Sequence, residues 1–295
     1  MPIRILHIVL NVLNRISYEF KCYSQRNSII LNDLARKTHP YRVNVHWYVL
    51  PDPNVQNLGD YLSPIIVEGC SRYFNIDLSK KCEATKHLYA VGSILTHGYQ
   101  NATVWGSGLL NGDTKKTRAC LRLQKLDIRA VRDPLTREVL MKNGHDCPEV
   151  YGDPAILMPM FYKPTSSEKR HSVSVIIHHT HNFDVEQIPK EANLINILTT
   201  DWVYFIDEIC ASELVISSTL HGIILAEAYG VPAILLVADS FDMFKYRDYY
   251  LSTGRNNIKC AKTIDEAIML GPMELPQLDE MRDKLLEVFP KDLWE

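Results

Sequence analysis

The residues best suited to chemistry fall in the run 217–222, Ser-Ser-Thr-Leu-His-Gly. A β-branched segment, ELVIS, precedes it and an apolar helical one, TLHGIILAEAYG, follows, so His221 belongs in the first turn of a helix. Free backbone N–H groups at a helix start, with the hydroxyls of Ser217, Ser218 and Thr219 beside them, form an anion site. An imidazole there can move a proton near neutral pH. Gly222 lets a ligand or a backbone come close. A serine cap with an incidental histidine explains the run equally well. Residues 57–60 (NLGD) repeat the theme, with Asn57, Gly59 and Asp60 heading a second helix; a plain capping turn is the simpler account. Arg129 and Arg132 stand near the C-terminal end of a strand, where a guanidinium fork can reach a cleft and hold a carboxylate or phosphate. A surface pair such as Arg132 with Asp133 is the plainer alternative. Gly92-Ser93 and Gly106-Ser107-Gly108 end strands, where α/β proteins place binding loops. His178-His179-Thr180-His181 has the residue types of a metal site. Neighbours on an extended segment point to opposite faces, however, and no second ligand cluster is evident, so no metal is expected.

The elements that must position these groups alternate. VNVHWYVL reads as a strand, YLSPIIVEGCSRYF as a helix, HLYAVGSIL and ATVWGSGLL as strands, and DIRAVRD as a strand before the helix PLTREVLMKNG. The polar run YKPTSSEKRH, residues 162–171, reads as a linker, after which the alternation restarts with SVSVIIHHT. This pattern predicts parallel sheets wrapped by helices, in two units, 1–164 and 165–295, with ligands in the cleft between them. There is no G-x-G-x-x-G on a strand-to-helix turn, no P-loop and no G-x-S-x-G, which argues against dinucleotide enzymes, P-loop enzymes and ordinary α/β-hydrolases.

Composition sets outer bounds. The 295 residues are 46% hydrophobic and 23% charged, so the chain has the apolar content to fold and no run long enough to span a bilayer. A net charge of −3 argues against a nucleic-acid binder. Seven widely spaced cysteines without Cys-x-x-Cys fit reduced thiols in a cytoplasmic protein. Residues 1–45 carry seven bases against two acids. Within them, 3–21 has helical apolar spacing: it reads as a helix packed on its own domain, or as an amphipathic helix lying on an anionic membrane surface.

Nine segments in order resemble the polysaccharide pyruvyl transferase family: 57–60 (NLGD), 90–95 (AVGSIL), 103–108 (TVWGSG), 131–136 (VRDPLT), 151–154 (YGDP), 176–179 (IIHH), 217–222 (SSTLHG), 230–232 (GVP) and 244–250 (FKYRDYY). The resemblance spans roughly residues 45–255. It implies a GT-B-like α/β fold of two facing Rossmann-like domains. It also implies transfer of the enolpyruvyl group of phosphoenolpyruvate to a sugar, with no metal or organic cofactor. The acceptor is then a glycan, in some relatives linked to a polyprenyl diphosphate, which would give residues 3–21 a reason to sit at the inner face of the cell membrane. Two departures matter. Thr219 stands where many members have Arg, and His178 where many have Pro. On this resemblance His221 is the acid/base, Arg132 and Lys245 clamp the anions, and Asp60 or His179 orients the acceptor hydroxyl. The loops at Ser93, 106–108 and 217–219 then supply donors. Two other readings stay open: a glycosyltransferase using a nucleotide sugar, and a non-catalytic carbohydrate-binding member, the latter kept alive by Thr219.

Overall fold

All strand pairings among the described residues are parallel, and they build two sheets. The computed structural model describes residues 36–97, 99–166, 168–181, 183, 188–237 and 242–295. The predicted helix over 3–21 and most of the basic end lie outside them. The first sheet has the order β1-β2-β3-β4, from strands β1 (Val43–His46), β2 (Lys86–Tyr89), β3 (Asn101–Trp105) and β4 (Lys125–Ala130). Around it lie helices α1 (Leu58–Phe74), α2 (Lys115–Leu121) and α3 (Pro134–Lys142). A 3-10 turn at Pro154–Leu157 runs into the short helix α4 (Met158–Phe161).

The second sheet has the order β6-β5-β7-β8-β9: β5 (His171–Ile176), β6 (Asn193–Leu194), β7 (Ser212–Ser217), β8 (Ala233–Leu236) and β9 (Cys260–Ala261). Its helices are α5 (Trp202–Cys210), α6 (Leu220–Ala228), α7 (Phe244–Ser252), α8 (Ile264–Leu270) and α9 (Asp279–Glu287). Between the two sheets, residues 163–166 and 168–170 have no regular structure. Two parallel sheets with helices between their strands make a mixed α/β structure consistent with a Rossmann-like arrangement. Among the described residues no helix is long and apolar enough to cross a membrane.

Local chemistry explains the boundaries. Asn57 caps α1 by accepting from the Gly59 N–H, and Asn75, at φ 57°, ends it in the left-handed region that Asn tolerates. Strand β8 is buried along its whole length, as a central parallel strand requires. The strands of the first sheet are shorter than the sequence predicts. β2 stops at Tyr89 and β3 at Trp105, because Gly92 (φ 106°) and Gly106 (φ 87°) turn the chain out of extended geometry. Helix α2 is not among the elements predicted above; its cap, Thr114 accepting from Thr117 N–H, lies in a lysine-rich stretch with little periodicity.

Contacts run across the linker. The last helical segment returns to the first sheet: Trp105 donates its indole N–H to the Leu285 carbonyl at 2.8 Å, and Phe289 stacks on Phe74. Helix α3 is capped from a distance. Its own N-cap residue, Asp133, makes no cap bond because Arg132 takes its carboxylate. The carboxylate of Asp248, on α7, accepts instead from Leu135 N–H (2.6 Å), Thr136 N–H (3.2 Å) and the Thr136 hydroxyl (2.5 Å).

Replacing Asp248 by Ala leaves those buried donors unpaired, and chemical denaturation should register a loss of about 1–3 kcal/mol. An unchanged midpoint would show that the cross-linker cap carries no stability.

Candidate active site

Both sheets offer the C-terminal ends of their strands to one cavity of about 500 Å³. From the first sheet come Tyr48 after β1, Ser93 and His97 after β2, and Leu110 and Asn111 after β3. From the second come His178, His179 and His181 after β5, Thr219 and His221 after β7, and Asp242, Lys245 and Tyr246 after β8. Asn57 and Asp60 enter from the start of α1. Parallel sheets place ligands outside the carboxyl ends of their strands for this reason: the loops converge there and helix N-termini point in.

His221 is the centre of the arrangement. It sits in the first turn of α6, whose cap is Thr219 Oγ1 accepting from Gly222 N–H. Its Nε2 lies 3.4 Å from Asp153 Oδ2, within ion-pair distance, and among the described residues neither of these buried atoms has a hydrogen-bond partner. Asp153 is held in turn, because its Oδ1 accepts from Ala155 N–H as the cap of the 3-10 turn. On the other edge of the ring Nδ1 faces Gly59, where a Cβ would come within 2.2 Å. Gly59 is therefore needed as clearance for the imidazole.

The charged neighbours have shifted titrations. Burial, and then repulsion from Arg132, brings the Lys245 ammonium down to about 8, against the attraction of Asp60 and Asp242. Burial pushes the Asp60 carboxyl up to about 6, although His221 and Lys245 pull it the other way. His178 is brought down to about 3, first by burial and then by Lys245 and the neighbouring imidazoles. His179 and His181 are lowered by the same two leading causes, burial and then Lys245. The cavity thus holds a carboxyl that exchanges protons near neutrality and a largely protonated amine. Tyr246 donates to the Ser218 carbonyl at 2.9 Å, and the Lys245 Nζ lies 4.9 Å from the Tyr246 ring.

Several sequence-predicted residues stand elsewhere. Arg132 does not reach the cavity: it is 0% exposed and donates to Asp133 (2.6 Å), Ser93 Oγ (2.8 Å) and the Leu109 carbonyl (3.0 Å). It frames the loops behind the cavity instead of clamping an anion, because a buried guanidinium needs internal partners and finds them here. Arg129 lies on the surface, paired with Asp127 and Asp292. The 106–108 loop supplies no donors to the cavity. Gly106 N–H goes to the Ala130 carbonyl, and Gly108 N–H and Ser107 Oγ both go to the Gly92 carbonyl. The 217–222 hydroxyls are likewise committed. Ser217 Oγ accepts from Thr219 N–H, and Ser218 Oγ accepts from His178 N–H. Gly222 fits against Ser217 and Thr219 and opens no path to a ligand. His178 and His179 do not point to opposite faces, since β5 has ended and their rings stack 4.7 Å apart. Among the described residues no group of three or more His, Cys, Asp or Glu is placed to hold a metal ion.

Asp153 lies in the 151–154 segment but is not among the site residues predicted from sequence. Its signal was an acid just before a proline at a strand-like end, seen now as the Val131–Tyr151 bridge.

A profile of the polysaccharide pyruvyl transferase family matches residues 57–240, which contain His221, Asp153 and Asp60. The chain belongs to that family, and so to the transferases. It is also similar to a protein of Acanthamoeba polyphaga mimivirus, "Uncharacterized protein L143", with 24% identity over 233 residues, 73% of this chain and 76% of that protein.

Sulfate stays doubly charged through neutral and mildly alkaline pH, so it isolates the amine. Calorimetry should show sulfate affinity falling as pH rises through about 8, where Lys245 loses its proton. Lys245→Met should lower the affinity roughly ten- to a hundredfold and flatten that profile. A profile that survives the substitution would mean another group holds the anion.

Proposed function

We propose that the protein transfers the enolpyruvyl group of phosphoenolpyruvate to a sugar of a polysaccharide repeat unit, closing a pyruvate ketal and releasing phosphate. The observation that carries this reading is His221, which lines the same cavity as Lys245 and Asp60 and has the Asp153 carboxylate behind it. Phosphoenolpyruvate is a carboxylate and a phosphate on a three-carbon enol. It needs cationic partners, and its chemistry needs a proton delivered to C3 and another removed from a hydroxyl.

The steps follow from the residues. Lys245 pairs with one anionic group, the part that Arg fills in many relatives and Thr219 cannot. A carboxylate against Nε2 keeps a proton there, so Nδ1 is the nitrogen that exchanges one with substrate. Protonation of C3 moves the enol electron pair onto the methyl carbon and leaves C2 electrophilic. A sugar hydroxyl then attacks C2 and gives its proton to His221 or Asp60. The C2–O bond to phosphate breaks, and a second hydroxyl closes the ring and gives up its proton. Asp60, with its raised titration, is suited to alternate between acid and base in this sequence.

The wider setting is part of the same proposal. The two α/β halves would work as the facing domains of a GT-B-like enzyme, in the cytoplasm where phosphoenolpyruvate is made. The acceptor would be a glycan, with a polyprenyl-diphosphate carrier as one form of it. Residues 3–21 would bring the enzyme to the membrane; loss of liposome flotation on deleting them supports this, and unchanged flotation refutes it.

Incubation with phosphoenolpyruvate and glycan acceptors should add the mass of pyruvate less water, with equal phosphate release. His221→Ala should cut turnover about 10²–10⁴-fold while phosphoenolpyruvate still raises the melting temperature. Near-normal turnover removes His221 from the mechanism. Thermal stabilisation by a nucleotide sugar and not by phosphoenolpyruvate would instead favour glycosyl transfer.

A further inference from the structure

The cavity walls differ in charge. The cation and most of the imidazoles, Lys245, His221, His178, His179 and His181, all come from the loops and helix starts that follow strands of the second sheet. The wall built by loops of the first sheet contributes no Lys or Arg among the described residues. Its surface includes Tyr48, Ser93, Ile94, His97, Leu110 and Asn111, with Tyr48 50% and Leu110 49% exposed. A small phosphorylated acid fills only part of about 500 Å³, a size typical of pockets for larger ligands. It would be drawn to the cationic side, which leaves the opposite wall for something uncharged.

We infer that this wall is the seat of the acceptor: a pyranose ring lies against Tyr48, and Asn111 and His97 read its hydroxyls. The inference rests on the pyruvyl-transfer reading above and goes on to assign the second substrate. An exposed aromatic ring beside an amide and an imidazole suits a sugar, whose C–H face is apolar and whose rim is hydroxyl. The wall is braced from behind. The Tyr48 and His97 rings meet edge to face at 5.8 Å, and His97 Nδ1 lies 3.3 Å from His46 Nε2. His46 packs in turn on Tyr89 and Tyr99. Burial, followed by the neighbouring imidazoles, brings His46 down to about 3, so it hydrogen-bonds to His97 without adding charge. Asn111 is fixed from across the mouth, where its amide donates to Asp242 Oδ2. Asp242 belongs to the loop leading to Lys245, so the residue facing the sugar is tied to the one facing the anion.

The test uses a panel of methyl hexopyranosides, read by saturation-transfer NMR with and without phosphoenolpyruvate, on the full chain. At least one glycoside should bind the wild-type protein. Tyr48→Ala should weaken it about tenfold, raise its KM and leave the KM for phosphoenolpyruvate unchanged. Tyr48→Phe should restore binding, and Asn111→Ala should change which hexoside is preferred. Tyr48 is half exposed, so its loss does not threaten folding. The assignment is overturned if no glycoside binds, if Tyr48→Ala leaves glycoside binding intact, or if it weakens both substrates equally. Failure of phosphoenolpyruvate to stabilise the protein strikes the reaction instead, and glycoside binding without donor still judges the wall.

Discussion

The site depends on a carboxylate lodged beneath an imidazole. Asp153 and His221 each bury an atom that has no hydrogen-bond partner among the described residues, and the two atoms face each other at 3.4 Å, where protonation of the ring makes them an ion pair. A buried polar atom without a partner costs about 1–3 kcal/mol, so the two atoms gain from staying face to face. With Gly59 packed against the opposite edge, the fold sets the ring orientation before any ligand arrives. Much of the surrounding structure serves that placement. Pro154 packs against Gly106, where a Cβ would come within 2.3 Å. Gly152, at φ 143°, makes room for Met281 and Leu285 of α9. Gly59 clears the far edge of the ring. Three glycines from separate parts of the chain thus fix one histidine.

Around that pair the charges are sorted by depth. Arg132, fully buried, ties the Ser93 and Leu109 segments together and carries Asp133 with it, which obliges Asp248 of α7 to cap α3. Lys245 lies three residues before Asp248 on the same helix, and its side chain faces the cavity. One cation is thus spent on architecture so that another is presented to a ligand, and the buried Arg132 is part of what lowers the Lys245 titration.

How much of this was legible in the sequence varied by residue. The alternation of apolar runs with capped helices was enough to predict parallel α/β sheets, and the motif order was enough to identify the family. His221 was legible as a helix-start residue because Thr219 and Gly222 mark the cap. Arg132 misled, because a strand-end arginine looks the same in sequence whether it faces a cleft or a buried Asp133. The serines of 217–218 misled similarly: their hydroxyls are consumed in holding the turn. Asp153 was hidden because its partner is 68 positions away and the contact exists only once α6 packs on the 3-10 turn. Tyr48 and Asn111 carried no local pattern, and only the convergence of strand ends placed them in one cavity.

The most direct measurement of the central contact is ¹⁵N NMR of the His221 imidazole. The account requires the ring proton to reside on Nε2, facing Asp153, and Asp153→Ala to release it to the mixture seen in free imidazole. A proton found on Nδ1 in the wild-type protein, or a tautomer indifferent to Asp153→Ala, would contradict it.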